Sequence, residues 1–384
     1  MTCFCHIFKR GKKRRNQFVQ GDEVADISGI ENTRIYTYNE LSIATEDFSP
    51  RNKIGEGGFG SVYMGKLADG NKVAIKVLSS ESRQGVKEFL TELTVISSIV
   101  HDNLVKLYGC CVEANNRILV YGYLENNSLA QTLLGKNASN IQFSWKTRAK
   151  ISIGVARGLA FLHEEAEPHI VHRDIKASNI LLDKDLTPKI SDFGLAKLVP
   201  ANVTHVSTRV AGTMGYLAPE YAVRGQVTWK SDVYSFGVLL LEIVSGRCNT
   251  NTRLPFAERF LLDRVWSLYE VCELREIVDM SITDDMEIEE ACKFLKVGLL
   301  CTQDVSNLRP TMSTVVHMLT GEKDVDIQKI TKPGLISDLM NFRNPKKTDE
   351  TNTSSSSEMA TFPAMSSETT TYISFTFTAI SERD

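Results

Sequence analysis

The sequence predicts an α+β fold of two lobes, a small antiparallel β-sheet lobe with one key helix and a larger, mainly α-helical lobe. Apolar and polar residues alternate in the early part of the globular region, whereas from residue 128 onward apolar residues recur every three or four positions. With 384 residues the chain is long enough for both units. The cleft between two such lobes is the usual place for a small-molecule site.

Composition restricts the class of partner. A net charge of −3 gives the whole molecule no preference for nucleic acid, so we expect no nucleic-acid partner. The longest apolar run, "FGVLLL", is far shorter than the roughly 20 residues that a membrane-spanning helix needs. The eight cysteines form no CxxC pair, which favours a reducing, cytosolic environment.

Four segments are predicted along the chain. Residues 1–35 are basic and then polar, which is typical of a flexible lead-in, and 36–47 form a pre-domain segment. The globular domain is predicted over 48–320. Residues 321–384 are rich in Lys, Asp, Ser and Thr and are predicted to be disordered. Within them "YISFTFTAI" (Tyr372–Ile380) alternates like a strand and could pair with a sheet edge, but a lone strand without a partner hairpin is more often a disordered segment or a short linear contact motif.

The first residues carry a membrane-anchoring pattern. Cys3 and Cys5 precede a basic run, Lys9–Arg15, so palmitoylation and attraction to anionic lipids could act together. Thr2 excludes myristoylation, which requires glycine at that position. The alternatives are a solvated basic run or a nuclear-localisation patch. The predicted location is the cytoplasmic side of the plasma membrane, as a peripheral lipid-anchored protein, or the cytoplasm.

The sheet begins with a predicted hairpin. The alternating segments "SVYMGKL" and "KVAIKVL" flank Asp69-Gly70, and glycine permits the positive φ that a tight turn requires. A helix is then predicted in "GVKEFLTELTVISSIV", where Glu92 shares the apolar stripe. An inward-facing carboxylate needs a positive partner, and Lys76 in the preceding strand is the expected one. The apolar stripe consists of Phe89, Leu93, Ile96 and Val100.

Two later segments predict helices of the larger lobe. "TRAKISIGVARGLAFLHEEA" repeats apolar residues at spacings of three and four, which indicates a core-facing helix. "SDVYSFGVLLLEIVSG" is apolar nearly all round and is predicted to be a buried helix that begins near Ser231 or Asp232. The stripe of the first helix consists of Ile151, Val155, Leu159 and Leu162.

A glycine-rich loop lies between the first two predicted strands. In "IGEGGFGSVYMG", Gly55, Gly57 and Gly60 follow the G-x-G-x-x-G pattern, which by itself also occurs in ordinary turns. In the dinucleotide-binding fingerprint such a loop leads into a helix, whereas both flanks here are strand-like. Backbone N–H groups of glycines between paired strands can approach phosphate oxygens closely. The context therefore predicts a flap over a nucleoside triphosphate.

Acidic, basic and amide side chains are concentrated in "HRDIKASN" and "SDFGLA". Asp174 can accept a hydroxyl proton or orient the hydroxyl, Lys176 can neutralise a phosphoryl oxygen, and Asn179 can offer an amide oxygen to a metal. Asp192 supplies a carboxylate for magnesium, and Gly194 permits an unusual backbone turn. The alternative is a set of turn-capping residues, which the ordered motifs upstream disfavour.

The chain resembles the eukaryotic protein kinase family from about Phe48 to Leu319. Its motifs occur in the family's order: "GEGGFGSV", "VAIK", Glu92 in the helix, "HRDIKASN", "DFG", "APE", "SDVYSFG" and "RP". The resemblance implies the bilobal protein kinase fold, with ATP and Mg²⁺ as cofactors and Mn²⁺ as an alternative metal. It also implies transfer of the γ-phosphoryl group of ATP to a protein hydroxyl.

The same resemblance implies roles for single residues. Asp174 is the expected catalytic base, and Lys176 is expected to touch the γ-phosphate, so both are predicted to be catalytic. Asn179 and Asp192 are the expected metal ligands. The expected nucleotide-binding residues are Ile54, Gly55, Glu56, Gly57, Gly58, Phe59, Gly60, Val62, Ala74, Lys76, Glu92, Tyr121, Gly122, Leu124 and Leu181.

The segment "VYGYL" resembles the hinge that binds adenine through its backbone. Tyr121 is the expected gatekeeper, and Gly122 and Leu124 are expected to supply the main-chain contacts. Relatives carry glutamate where Gly122 stands, which leaves backbone recognition intact but alters the expected stiffness of the hinge.

Three charged residues are expected to support the larger lobe. Asp232 should support the catalytic loop from beneath, and Glu220 should pair with Arg309. An exposed pair would contribute only about 0 to 1 kcal/mol, so the second prediction requires burial.

The substrate class follows from the catalytic loop. Lys176, together with the "GT" pair before "APE", resembles the serine/threonine branch, so we expect Ser and Thr hydroxyls of proteins as substrates. The segments "YTYNELSIATEDFS", "HDNLVKLYGCC", "LVYGYLENNSL" and "THVSTRVAGTMGYLAPEYA" resemble plant receptor-like kinases. Because no span precedes them, the resemblance is to receptor-like cytoplasmic kinases, and among these to the cold-responsive subgroup. A membrane receptor kinase is therefore one expected partner.

Charge also predicts regulation. Arg173 is expected to be a buried cation without an anion, and a phosphate on the loop after Asp192 would pair with it and order the loop. Thr208 is expected to matter most, whereas Thr213 is expected to hydrogen-bond near the catalytic loop. The candidate phosphorylation sites are Thr204, Ser207, Thr208 and Thr213.

A second class of function stays open from sequence alone, a catalytically weak kinase-fold scaffold at the membrane. Degenerate kinases usually lose the catalytic aspartate, the metal-binding aspartate or the strand lysine. Asp174, Asp192 and Lys76 are all present, which favours catalysis.

Overall fold

The computed structural model describes residues 33–57, 60–78, 83–135, 141–200, 203, 206–255 and 258–335. These residues form a sheet lobe followed by a helical lobe, as predicted. Some sequence predictions lie outside the described residues, namely those on Cys3, Cys5, Gly58, Phe59, Thr204 and the 372–380 segment.

The first lobe is built on a mixed sheet whose strands are β1 (Arg34–Ile35), β2 (Lys53–Gly57), β3 (Gly60–Lys66), β4 (Lys72–Leu78), β5 (Leu107–Glu113) and β6 (Asn116–Gly122). Their order across the sheet is β1-β5-β6-β4-β3-β2. Neighbouring strands are antiparallel except for β1 and β5, which are parallel. The glycine-rich loop therefore lies at one edge of the sheet, between β2 and β3.

The predicted hairpin joins β3 and β4. Gly70 has a φ of +87° in the turn, and the Asp69 carboxylate accepts the Asn71 N–H at 3.0 Å. The two strands pair along their whole length without a shift of register. The turn chemistry that predicted the hairpin is the chemistry that closes it.

The two faces of this sheet serve different neighbours. Val62 and Lys76 are cross-strand partners, as are Ala74 and Tyr121, so all four side chains share the face toward the cleft. The opposite face is apolar and closes a second core, which leaves the first face available for a site. This second core consists of Tyr36, Leu41, Leu67, Val73, Ile75, Cys111, Ile118 and Val120.

Helix α2 (Arg83–Ile96) packs against the face that carries Lys76. Phe89, Leu93 and Ile96 are buried, as their spacing predicted. Val100 is 82% exposed, so the prediction that it belongs to the buried stripe is wrong. The helix ends at Ile96, and helical periodicity no longer sets the direction of side chains beyond that point.

The pre-domain segment is part of the sheet lobe. Arg34 in β1 pairs with Gly109 in β5, and Tyr36 and Leu41 are buried in the second core. Leu41 lies on helix α1 (Tyr38–Ala44). A Cβ at Gly109 would lie 2.1 Å from the Arg34 carbonyl oxygen, so this approach needs glycine. The packed unit therefore begins before the predicted boundary at residue 48.

The second lobe is helical, with α3 (Leu129–Thr132), α4 (Trp145–Ala160), α5 (Pro219–Arg224), α6 (Trp229–Ser245), α7 (Leu261–Glu270), α8 (Asp285–Cys301) and α9 (Met312–Thr320). The predicted stripe of α4 and the turn after it is fully buried. Helix α6 is buried nearly throughout, as predicted, and Ser231 and Asp232 lie near its start. Its N-cap is Thr228, whose hydroxyl accepts the Lys230 N–H. None of the described helices is long and apolar enough to cross a bilayer.

Short antiparallel ribbons complete the second lobe near the cleft. They place the catalytic-loop and "DFG" segments side by side and hold part of the loop that follows. The pairs are β7 (His169–Val171) with β10 (Lys197–Val199), β8 (Ile180–Leu182) with β9 (Pro188–Ile190), and β11 (Val206–Ser207) with β12 (Gln226–Val227).

Residues 321–335 pack on the helical lobe, beyond the predicted boundary at 320. Gln303 and Pro333 form an isolated bridge, and the Gly334 N–H donates to the Thr302 carbonyl at 3.0 Å. Pro333 and Gly334 are buried. Composition predicted disorder because this stretch is poor in apolar residues, whereas its packing uses main-chain hydrogen bonds that composition does not reveal.

Candidate active site

An ion-pair network joins three elements beneath the sheet. Lys76 Nζ on β4 donates to Glu92 Oε2 on α2 and to Asp192 Oδ1 in the "DFG" segment, both at 2.7 Å. Burial alone would lower the pKa of Lys76, but the Asp192 and Glu92 carboxylates outweigh it and raise that pKa above its usual value. The Lys76–Glu92 pair expected from the sequence is formed, and Asp192 is its third member.

Tyr121 adds a contact that the sequence did not predict. Its hydroxyl donates to Glu92 Oε1 at 2.6 Å, so each oxygen of Glu92 has a partner. Burial and the Glu92 charge raise the pKa of Tyr121 well above its usual value, which keeps the hydroxyl a donor. Alternation in β6 could have placed Tyr121 on the same face as Lys76, but only packing shows that its hydroxyl reaches α2.

The glycines of the loop differ in whether neighbouring protein atoms exclude a side chain at their position. At Gly60, whose φ is +154°, a Cβ would lie 1.9 Å from the Val77 carbonyl oxygen, so the sheet itself demands glycine. A Cβ at Gly55 would meet Val62 at an ordinary 3.7 Å, and one at Gly57 would meet nothing within 4 Å. Among the described residues no protein neighbour accounts for Gly57, and the close approach of a ligand would account for it.

Five of the predicted nucleotide contacts are apolar side chains that remain partly exposed. Val62 and Ala74 project from the sheet on the face that carries Lys76, and Leu181 lies on β8 in the helical lobe. All three are partly exposed, as are the predicted contacts Leu124 and Ile54. Their exposed apolar surface is compatible with the predicted contact with an aromatic base.

Two other predicted nucleotide contacts have neighbours of their own. Glu56 is exposed on the loop and pairs with Lys53 at 2.9 Å. At the hinge, a Cβ on Gly122 would lie 3.2 Å from the Tyr108 hydroxyl oxygen and 3.4 Å from Cζ. Tyr108 therefore fills the space that a side chain at position 122 would enter, and the Gly122 N–H donates to the Lys106 carbonyl at 3.1 Å.

Asp174 is held by three donors. Thr213 Oγ1 donates to Oδ1 at 2.7 Å, Lys176 Nζ lies 2.8 Å from Oδ2, and Asn179 Nδ2 donates to Oδ2 at 3.2 Å. Lys176 Nζ also donates to Thr213 Oγ1 at 2.8 Å. The hydrogen bonding expected of Thr213 is confirmed, and an alcohol thus donates to a carboxylate beside an ammonium group.

Asp232 supports the catalytic loop from within α6 and is 0% exposed. Its Oδ2 accepts the His172 N–H at 2.7 Å, and its Oδ1 accepts the Arg173 N–H at 2.8 Å. Burial would raise the pKa of Asp232, but the hydrogen bond from His163 at 2.9 Å and the neighbouring histidine charges hold it below its usual value. Arg173 has a φ of +71°, so this expected support fixes a strained backbone.

The strained residue of the "DFG" segment is Asp192, with a φ of +69°. The unusual turn expected at Gly194 is therefore misplaced by two positions. At Gly194 a Cβ would lie 3.2 Å from Glu88 Cβ, so glycine serves the close approach of α2 instead.

Glu88 is an acidic residue of the site that the sequence did not predict. It is 3% exposed, and Gln84 Nε2 donates to its Oε1 at 2.7 Å. Burial raises the pKa of Glu88 to about 7, and the Asp192 charge adds to the shift. The available signal was the spacing, because a residue four positions before Glu92 shares its helix face.

Asn179 and Asp192 offer hard oxygen ligands. Asn179 Nδ2 is used on the Asp174 carbonyl at 2.9 Å, and its amide oxygen has no partner in the part of the chain that the structure describes. That part contains no group of three or more His, Cys, Asp or Glu side chains able to hold a metal. One carboxylate and one amide suit a hard divalent cation that takes its other ligands from phosphates and water. The donor set fits a metal that arrives with a nucleotide.

Arg173 is 7% exposed and holds the loop through neutral acceptors. Its guanidinium donates to the Leu195 and Arg209 carbonyls, each at 2.9 Å, and to the Tyr221 hydroxyl. No carboxylate in the described ranges forms an ion pair with it, so a buried cation without an anion is present as expected. Each of its three nitrogens already donates a hydrogen bond, so a phosphate would compete with these neutral acceptors.

The candidate phosphorylation sites differ in their contacts. Ser207 is exposed in β11, where it pairs with Gln226. Thr208 is partly buried, and its N–H donates to the Gly225 carbonyl at 3.0 Å. Thr213 is committed to Asp174, so among the candidates that the structure describes Ser207 and Thr208 offer hydroxyls outside the site.

Cations from both lobes act on Lys197. Burial lowers the pKa of Lys197 on β10, and the charges of Arg173 and Lys87 lower it further. Lys87 belongs to α2, Arg173 to the catalytic loop and Lys197 to the segment after "DFG". A dianion bound at this place would therefore link the two lobes.

Glu220 anchors the end of the stretch from Asp192 to Glu220, here called the activation segment. Its two oxygens accept hydrogen bonds from the Arg309 guanidinium at 2.7 and 2.8 Å. The Arg309 side chain is 0% exposed, so the pair is buried as expected and weakly screened. Earlier in the segment, the Tyr216 hydroxyl donates to the buried carboxylate of Glu242 at 2.7 Å.

The fold and this site define an ATP-dependent phosphotransferase. Residues 48–319 match the family described as protein tyrosine and serine/threonine kinase. The chain therefore belongs to the protein kinase family, whose members use ATP and a divalent metal.

Relatives place the chain in the serine/threonine branch. It is 68% identical over 320 residues to Cold-responsive protein kinase 1 of Arabidopsis thaliana, a match that covers 83% of this chain and 82% of that protein. Two probable LRR receptor-like serine/threonine-protein kinases of the same plant are 52% and 53% identical over 328 residues, which are 85% of this chain and 31% of each of those proteins. The chain is a protein serine/threonine kinase, and the scaffold alternative is not favoured. It spans about a third of the length of those receptor-like relatives.

Proposed function

We propose that the protein transfers the γ-phosphoryl group of Mg²⁺-ATP to serine and threonine hydroxyls of other proteins in intracellular signalling, with Asp174 steering the acceptor hydroxyl. The observation that carries this proposal is the set of contacts around Asp174. The Thr213 hydroxyl donates to it at 2.7 Å, which is the approach that a substrate alcohol must make. Lys176, 2.8 Å away, supplies a positive charge for the transferred group.

The nucleotide would lie between the glycine-rich loop and the helical lobe. Lys76 would bind the α and β phosphates, with Glu92 holding the lysine in place. The open space at Gly57 supports close approach of phosphate to the backbone. The main chain of Gly122 and Leu124 would bind adenine, because backbone groups recognise the base whatever side chain is present.

Asn179 and Asp192 would hold the metal, and Mg²⁺ is the cation that the donor set favours. Mg²⁺ keeps several waters and binds through one or two carboxylates together with phosphates. When bound, it would neutralise charge on the β and γ phosphates. The neighbouring Lys76, which donates to Asp192 at 2.7 Å, would keep that carboxylate ionised and oriented.

Replacing the steering carboxylate tests the proposal. Asp174→Asn should lower kcat about 10²- to 10⁴-fold with the KM for ATP nearly unchanged, because the amide cannot accept a proton. Asp185→Asn, on an exposed turn of the same lobe, is the matched control and should behave as the parent chain. Equal phosphorylation of a generic protein acceptor by the parent and Asp174→Asn would refute the proposal.

We also propose that phosphorylation of Thr208 raises activity by ordering the activation segment. The electrostatic influence of Arg173 and Lys87 on Lys197 supports this, since neighbouring cations would stabilise a dianion. Preincubation with ATP should raise the activity of the parent chain about tenfold, and Thr208→Ala should lose this gain. Ser207→Ala is the matched control and should retain the gain. Wild-type activation of Thr208→Ala would rule this mode of control out.

The partner and the location remain part of the proposal. The receptor-like relatives support a membrane receptor kinase as partner, and Cys3 and Cys5 beside the basic run support peripheral attachment to the plasma membrane. A double Cys3→Ser, Cys5→Ser variant should move from the membrane fraction to the soluble fraction. An unchanged membrane fraction would exclude acylation as the anchor.

A further inference from the structure

Residues 331–335, here called the C-terminal strap, contact the anchor of the activation segment. The Tyr234 hydroxyl on α6 donates to the Gly334 carbonyl at 2.6 Å. The Gly334 N–H donates to the Thr302 carbonyl at 3.0 Å. A Cβ at Gly334 would lie 2.4 Å from Pro219 Cγ, so the strap backbone touches the first residue of α5.

A second set of contacts connects the strap to Arg309. Gln303 is 0% exposed, and its Oε1 accepts the N–H and the hydroxyl of Thr331 at 3.1 and 2.7 Å. The Gln303 carbonyl accepts Arg309 Nε at 2.8 Å. The Arg309 guanidinium also lies over the Tyr234 ring, 5.1 Å from its centroid. Two of the residues that orient Arg309 toward Glu220, Gln303 and Tyr234, therefore also bind the strap.

The segment from Thr213 to Pro219 is consequently fixed at both ends. Thr213 binds Asp174 at its start. At its end, Pro219 contacts the strap, and the next residue, Glu220, binds Arg309. Loss of the second attachment would allow the segment to shift while the first remained in place.

We propose that the C-terminal strap is a positioning element for the protein substrate. By fixing the end of the activation segment, it restricts the movement of residues 213–217, which form the surface beside Asp174. This rests on the proposed function, in which the acceptor hydroxyl meets Asp174 at that surface. None of the strap contacts given above involves a nucleotide-site residue, so the strap acts on the KM for the protein substrate and not on the KM for ATP.

Two truncations test the strap. A chain ending at Leu335 retains it, and a chain ending at Lys329 lacks it. With myelin basic protein as substrate, the first should match the full chain, and the second should show a KM about tenfold higher because the docking surface is displaced. The KM for ATP should agree within about twofold in all three chains. Equal KM values for myelin basic protein in the two truncations would overturn the inference.

Point variants separate positioning from folding. Tyr234→Phe removes the bond to Gly334 but keeps the ring beside Arg309, and it should raise the KM for myelin basic protein about threefold. Ile327→Ala, at an exposed position before the strap, is the control and should leave that KM unchanged. If the shorter truncation fails to fold, Tyr234→Phe decides, and an unchanged KM overturns the inference.

The outcomes also separate this inference from the proposed function. A full chain that phosphorylates neither itself nor myelin basic protein would refute the proposed function and the strap with it. An active full chain whose variants all share one KM would refute the strap alone. A merely structural strap would lower the melting temperature and kcat without moving the KM for the protein substrate.

Discussion

The catalytic loop and the nucleotide side of the cleft are held in different ways. Beneath the loop, the buried Asp232 carboxylate accepts main-chain N–H groups of His172 and Arg173 inside one packed lobe. On the nucleotide side, Lys76 is held by side chains from two other elements, Glu92 on α2 and Asp192 after β9. The first arrangement is local to one core, whereas the second forms only when three elements are in place together.

This difference separates a fixed part of the site from an adjustable part. A main chain bonded to a buried carboxylate cannot move without exposing unpaired groups. A network of side chains can open when α2 or Asp192 shifts while each lobe stays folded. Control by movement is therefore expected on the nucleotide side of the cleft.

Removal of Asp232 should have the largest effect. Asp232→Ala leaves two buried main-chain donors and His163 without their acceptor, so the free energy of unfolding should fall by about 3–5 kcal/mol. Activity should be lost with it, because the loop that carries Asp174 loses its support. Urea unfolding measures the effect, and Asp285→Ala, at an exposed position, should cost almost nothing. A loss of less than about 1 kcal/mol in Asp232→Ala would contradict the interpretation of the catalytic loop as the fixed part of the site.

Removal of Lys76 should affect catalysis more than stability. Lys76→Met should lower kcat/KM about 10²- to 10³-fold, because a fixed positive charge is lost at the phosphates. The free energy of unfolding should change by less than about 2 kcal/mol, since methionine fills the space and the Tyr121 hydroxyl still donates to Glu92. Lys72→Met, at the exposed start of β4, is the control. A stability loss as large as that of Asp232→Ala would erase the distinction between the two regions.

Two glycines of the loop should separate structure from ligand binding. Gly60→Ala forces a methyl group against the Val77 carbonyl, so the free energy of unfolding should fall by about 1–3 kcal/mol. Gly57→Ala should leave stability within about 0.5 kcal/mol and raise the KM for ATP. Thermal unfolding and steady-state kinetics of both variants measure the contrast. Equal loss of stability in the two variants would show that Gly57 also has a structural role.

The smallest expected effect is a pH dependence that originates at Glu88. Its pKa rises from 4.5 to about 7 on folding, so the folded state holds this proton more tightly than the unfolded state. The contribution to stability is therefore complete below about pH 4.5 and is lost as pH rises through about 7. Glu88→Gln should remove it, so the variant should gain about 1–2 kcal/mol on the parent between about pH 5 and pH 8. Urea unfolding across this range measures the effect, and the exposed control Glu276→Gln should follow the pH dependence of the parent. If Glu88→Gln also follows the parent, folding does not raise the pKa of Glu88.

Prediction from the sequence succeeded where a local rule decides the outcome. Gly70 closes the hairpin because glycine accepts a positive φ, and Glu92 faces Lys76 because helix and strand periods place both inward. It failed where the outcome depends on a distant neighbour. The role of Gly194 follows from Glu88 on another element, and the burial of Gly334 follows from Pro219 and Thr302.

The sequence by itself determined the two-lobed α+β fold, the order of its motifs and the residue types of the site, because periodicity and turn chemistry act over a few neighbouring residues. Tertiary structure alone decided which groups meet: Tyr121 with Glu92, Glu88 with Gly194, and the C-terminal strap with α5. These contacts join positions far apart in the chain. Their formation depends on how helices, sheet and main chain pack in three dimensions, whereas local spacing indicates at most which face of an element a side chain shares.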